Sequence, residues 1–128
     1  MPSYIDANFI VKAYTKNPDS EACRETLNKG GLVTSPIAVV EAWQALMHIL
    51  GVELANKATI DLLRRDVTMV KIGPSFIHEA VRKQGKFGLD AFDTTHIISA
   101  QLAGCEEILT FDNDLLRAGT EPKARKPM

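Results

Sequence analysis

Cysteine is scarce in this chain of 128 residues: Cys23 and Cys105 lie far apart, and neither has a Cys or His nearby at the spacing of a metal site. That excludes a zinc ribbon and a disulfide framework, and it leaves two reduced thiols. Long hydrophobic runs are missing too. The longest apolar helix is interrupted by Glu41, Gln44 and His48, so no stretch reaches the roughly 20 residues a membrane span needs. The opening Met-Pro-Ser-Tyr-Ile-Asp has neither the basic stretch nor the apolar stretch of a secretion signal, and a cytoplasmic protein without membrane contact is expected. Repeats and low-complexity segments are absent. With 45% hydrophobic and 24% charged residues, disordered and fibrous classes are excluded, and a single domain over residues 1–128 is expected.

An excess of one charge is also lacking, with 15 Lys and Arg against 16 Asp and Glu, a net charge of −1. That balance speaks against a nucleic-acid partner only until the acids are divided by position. Setting aside four of the 16 acids as site residues, for the reasons below, leaves 12 against 15 cations. A modest basic surface is then available, with Arg82, Lys83 and Lys86 as the cluster for phosphate contact.

What is present is a regular alternation of short apolar strands with helices, which argues for βα units and a parallel sheet. The pattern predicts strands at 3–5, 32–34, 68–72 and 107–110. Helices are predicted to begin near Ala7, Asp19, Pro36, Glu53, Ser75, Ala91 and Asn113. Punctuation agrees: Gly30-Gly31 precedes the second strand, and Ser35-Pro36 reads as an N-cap followed by proline at the first helical position. Residues 119–128, polar and with two prolines, read as a frayed tail or an edge strand.

Four acids recur at one kind of position. Asp6, Glu41, Asp93 and Asp112 each fall just after a strand or in the opening turns of a helix beyond one. A parallel α/β sheet would bring these positions to one edge, where open α/β folds bind ligands. Each has a bland explanation. Asp6 and Asp112 suit helix N-caps, Asp90 can cap a helix with Asp93 three residues on, and Glu41 shares a narrow polar stripe with Gln44 and His48. Their joint recurrence is harder to dismiss. Gathered carboxylates repel one another and rise in pKa unless a cation sits between them, and an oxygen-only donor set suits a hard divalent ion. The sequence therefore points to a metal-dependent enzyme. His96 fits such a site poorly as a ligand and reads as hydrogen-bonded and partly buried.

Tyr4-Ile5-Asp6-Ala7-Asn8, Glu41, Asp93-Thr94-Thr95-His96-Ile97-Ile98-Ser99-Ala100 and Leu109-Thr110-Phe111-Asp112-Asn113-Asp114 together resemble the PIN domain. The resemblance is strongest to the single-domain VapC-type ribonuclease toxins of toxin–antitoxin pairs. It implies a three-layer α/β/α fold whose mainly parallel sheet has four to five strands. It also implies that Asp6, Glu41, Asp93 and Asp112 hold Mg²⁺ or Mn²⁺ and cleave an RNA phosphodiester. Asn8 and Asp114 would be accessory, Thr110 would support the ligands, and Asp90 is an extra acid that competes with Asp93 for the metal. A homodimer and a cognate antitoxin are implied as partners. The alternatives are a PIN-like scaffold that binds RNA or protein without cutting, and a Mg²⁺-binding receiver domain. The receiver would need an acid pair after the first strand and a Lys after a late one, and neither is present.

Overall fold

The structure, a computed structural model, describes residues 2–127. Five strands form one sheet: β1 (Ser3–Ile5), β2 (Leu32–Thr34), β3 (Val67–Met69), β4 (Glu107–Leu109) and β5 (Lys123–Arg125). Between them run α1 (Ala7–Tyr14), α2 (Ser20–Lys29), α3 (Pro36–Leu50), α4 (Val52–Leu63), α5 (Pro74–Phe87), α6 (Ala91–Leu102) and α7 (Asn113–Arg117). The strand order is β3-β2-β1-β4-β5, and every neighbouring pair is parallel.

Side chains alternate across the strands, so the sheet has two buried faces and the helices must cover both. Ile5, Leu32 and Leu109 point to one side, where Phe9, Ile10, Cys23, Leu27, Ala38 and Leu62 from α1 to α4 pack on them. Tyr4, Val33 and Ile108 point to the other, against Ile97 and Ala100 of α6 and Leu115 of α7. Phe76 and Ala80 of α5 extend that layer over Ile98. Both cysteines are free and buried. No helix among the described residues is long and apolar enough to cross a membrane.

Each helix starts within one residue of its predicted position, because caps and prolines are local signals. The Asp6, Ser35, Asp90 and Asp112 side chains all accept hydrogen bonds from amides in the first turn of the helix they precede. The strands differ more. β3 begins one residue earlier than predicted and ends at Met69, since pairing with β2 stops where Val70 donates to the Thr34 carbonyl. The C-terminal stretch is an edge strand, β5, in register with β4 from Glu107–Lys123 to Leu109–Arg125. Gly30 is required as glycine: its φ is 73°, and a Cβ there would sit 2.5 Å from Asp66 Oδ2, the atom that accepts from the Gly31 amide.

The topology reverses at β1. The chain moves outward through β2 and β3 on one side, then crosses to β4 and β5 on the other. The crevice beyond the carboxyl ends of β1 and β4 is therefore the position where such sheets bind ligands. Asp6 follows β1 and Asp112 lies three residues beyond β4.

Candidate active site

Asp6, Glu41, Asp93 and Asp112 line one cavity of about 190 Å³ at this edge, together with Asn8, Asp90, Phe92 and His96. They arrive from four segments. Asp6 and Asp112 end strand connections, and Glu41 projects from the second turn of α3. Asp93 comes by a longer route than its sequence position suggests. α5 intervenes after β3, and the first turn of α6 carries Asp93 back to the edge.

Asp6 is 3% exposed and its two oxygens have separate partners. Oδ1 accepts from the Phe9 amide at 3.0 Å, capping α1, and Oδ2 accepts from the Thr110 hydroxyl at 2.5 Å. Capping and site membership thus coexist in one carboxylate. Thr110, fully buried, also accepts from the Asp112 amide at 2.9 Å, so one hydroxyl ties the ends of β1 and β4 together. Replacing it by the isosteric valine orphans both partners. Thr110→Val is expected to destabilise the protein by about 1–3 kcal/mol in urea unfolding. An unchanged midpoint would mean that this link carries no weight.

The tightest group of acids among the described residues is Asp93, Asp112 and Asp114, each offering a carboxylate oxygen within 4.8 Å of the others. Asp114 thus lies closer to two of the four named acids than its accessory standing suggests. Asp112 itself is oriented by its cap, with Oδ1 accepting from the Asp114 amide at 2.8 Å and the Leu115 amide at 3.2 Å. Asp90 and Asp93 both line the cavity but differ in their contacts. Asp90 caps the helix, its Oδ1 accepting from the Asp93 amide at 2.8 Å, while the Asp93 carboxylate joins the acidic group.

Crowding shows in the protonation equilibria. Asp93 is pushed up to about 7, first by desolvation and then by the charges of Asp112 and Asp90, with His96 opposing. Burial also raises Asp6, against the pull of His96 and of its hydrogen bonds from Thr110 and Phe9. The surrounding donors are carboxylate oxygens and the Asn8 amide, apart from the His96 ring, whose nitrogens are engaged by Glu41 and Tyr4. Such a set fits a hard divalent cation, which would relieve the repulsion.

His96 is 2% exposed and bridges two elements. Its Nε2 lies 2.9 Å from Glu41 Oε1 and its Nδ1 lies 2.8 Å from the Tyr4 hydroxyl, which is 3.0 Å from Ser35 Oγ. Tyr4 is a residue the sequence reading passed over. Its apolar neighbours and strand position mark it as core, and nothing local reveals where its hydroxyl ends. Gln44 and His48 take no part. They bond to each other at 2.8 Å on the exposed side of α3.

The α5 cations do not line the acidic cavity. Arg82 and Lys83 both contact Glu79 Oε1, at 2.8 and 3.1 Å, and Lys86 sits 5.9 Å from the Phe87 ring centroid.

The PIN domain family model matches residues 3–121, and the chain belongs to that family. No curated protein matches it in sequence. Among solved structures, the fold is similar to VapC20 of Mycobacterium tuberculosis, a toxin that cleaves the sarcin-ricin loop. That match has 17% identity, covers 92% of this chain and 95% of the other, and has a TM-score of 0.79. A toxin–antitoxin complex from Klebsiella pneumoniae matches at 16% identity over 98% of each chain, with a TM-score of 0.76. VapBC2 of Rickettsia felis, bound to a DNA fragment from its promoter, matches at 17% identity over 98% of each chain, with a TM-score of 0.72. At these identities the likeness is one of fold.

Proposed function

We propose that this PIN-domain protein is a Mg²⁺- or Mn²⁺-dependent endoribonuclease of the VapC type, held in check by a cognate antitoxin. The observation that carries the reading is the meeting of Asp6, Glu41, Asp93 and Asp112 in one cavity, from segments that are remote in sequence. Their mutual repulsion makes sense as a cation site, and the fold neighbours include a toxin that cleaves RNA at the sarcin-ricin loop. When bound, a divalent ion supplies a more acidic water and positive charge for the attacked phosphate.

The chain's own residues hold and orient. Asp93 and Asp112, with Asp114 beside them, would offer the most closely spaced oxygens, and Asp6 would offer one from the buried end of the cavity. Glu41 also lines the cavity, and Asn8, exposed there, is able to hydrogen-bond a water or a ribose oxygen. Of the three α5 cations, Lys86 is the one without an acidic partner among the described residues, which leaves its charge available to a phosphate.

Partners are proposed from the outer side of α3 and α4. Val40, Trp43, Ile49, Val52, Leu54 and Ile60 are all at least 40% exposed there, apolar surface suited to a second copy of the chain and to an antitoxin segment. The sequence pattern implies that all of α3 but one stripe is covered, and a single chain leaves that side bare. An arginine from the antitoxin would pair with the gathered carboxylates.

Calorimetric titration with Mn²⁺, run beside a panel of end-labelled RNAs, tests the reading. Uptake of the ion with cleavage dependent on it is the expected result. Uptake without cleavage of any RNA would leave a binding scaffold, and no uptake would remove the metal site.

A further inference from the structure

We propose that Tyr4 and His96 are positioning residues, whose buried hydrogen-bond chain holds Glu41 turned into the acidic cavity and thereby sets the site's affinity for its cation. The inference deepens the metal-site reading above and rests on it.

Glu41 has room to leave the cavity. Its side chain is 30% exposed, and it stands where the acidic cavity meets a wider apolar cleft lined by Ile37, Val40, Ile72 and Phe92. Asp6, Asp93 and Asp112 share the cavity with it, so repulsion favours a rotamer directed outward through the cleft. Unlike Asp6 and Asp112, Glu41 caps no helix. Among the described residues its side-chain hydrogen bond is to His96 Nε2, at 2.9 Å.

That partner is rigid. The imidazole is buried, and its other nitrogen is held 2.8 Å from the hydroxyl of Tyr4, itself fully buried on the central strand. Tyr4 is hydrogen-bonded in turn to Ser35 Oγ, which accepts from the Ala38 amide at 3.1 Å and caps α3. The chain therefore starts at the first turn of α3, runs through β1 and α6, and returns to the second turn of α3. A carboxylate at Glu41 only accepts hydrogen bonds, so Nε2–H donates to it; with Nδ1 accepting the one phenolic proton of Tyr4, the Ser35 hydroxyl turns to donate to the Tyr4 oxygen. The phenol is protonated at neutral pH in any case, and burial raises it further. One Glu41 oxygen is thus fixed to the ring while the other keeps its lone pairs for the cavity. Ligand carboxylates at metal sites are commonly held by such partners, whose removal weakens binding about 10–100-fold.

The test is a double-mutant cycle read by Mn²⁺ calorimetry. Tyr4→Phe removes one oxygen and keeps the ring that fills the core. Its expected effect is a roughly tenfold loss of Mn²⁺ affinity in the wild-type background. In a Glu41→Gln background the same change should cost less than about twofold, because the oriented group is already gone. Should Tyr4→Phe fail to fold, His96→Phe, which removes the donor to Glu41, takes its place in the same cycle. Wild-type affinity in Tyr4→Phe, or an equal loss in both backgrounds, overturns the proposal: a purely structural role for Tyr4 would not depend on residue 41. A wild-type protein that takes up no Mn²⁺ overturns the metal site itself, a result recognisable before any variant is made.

Discussion

Asp6→Asn should abolish cation-dependent RNA cleavage, by about 10³-fold or more, while leaving the folded chain intact. The first half follows from chemistry. A ligand that stabilises several kcal/mol of developing charge is worth at least that factor in rate, and an amide oxygen is a much weaker donor to a hard cation than a carboxylate. The second half follows from the hydrogen bonds. Asn is as good a helix cap as Asp, so its oxygen can keep the bond from the Phe9 amide that Oδ1 now accepts. Its amide can donate to Thr110, whose hydroxyl can turn to receive it. Removing a buried negative charge from a crowd of them also relieves the cation-free protein, so its melting temperature should hold or rise. Circular dichroism melts beside cleavage assays read both halves. Wild-type cleavage by Asp6→Asn would remove Asp6 from the ligand set. Loss of both fold and activity would instead show that the fold needs the second carboxylate oxygen, which accepts from Thr110.

The second large effect concerns pH and the cation together. In the folded, cation-free protein Asp93 holds its proton up to about pH 7, against an ordinary value of 3.8. Between those values the native state binds the proton and the unfolded chain does not, so the contribution of Asp93 to stability is fully present below about pH 4 and is lost as pH rises toward 7. Discounted for the solvent that still reaches this half-buried side chain, the loss is on the order of 1–2 kcal/mol, roughly 4–8 °C in melting temperature. Melts in chelator at pH 5 and pH 8 should therefore decline with pH for the wild type and decline much less for Asp93→Asn. Saturating Mn²⁺ should raise stability most at pH 8, where the carboxylates are charged, and its binding at pH 6.5 should release a proton. Titrations in buffers of different ionisation enthalpy detect that release. A wild-type melting temperature that is level from pH 5 to pH 8 in chelator would show that Asp93 is not held protonated by its neighbours.

Much of this site was legible in the chain because its parts use local signals. Asp6, Asp90 and Asp112 occupy helix caps, and caps are set by the few residues around them. Glu41 stood out because the helix around it is apolar except for Gln44 and His48. The contacts that distinguish Asp90 from Asp93 were not legible. Both sit in the same helical turn, and only the packing of α6 decides which carboxylate meets Asp112. Asp114 was read only as accessory, and the bond from Tyr4 to His96 was hidden.

Sequence alone determined the α/β alternation, the helix starts and the set of acids that collect beyond the strands. Periodicity, capping and turn residues act over a few positions and can be read without knowing the rest of the chain. Tertiary structure decided the direction of each carboxylate and what holds it there. The bonds that do so join residues 104, 92 and 55 positions apart: Thr110 to Asp6, Tyr4 to His96, and His96 to Glu41. Contacts across such separations form only when the sheet order brings β1, β4, α3 and α6 together, and no local preference encodes them.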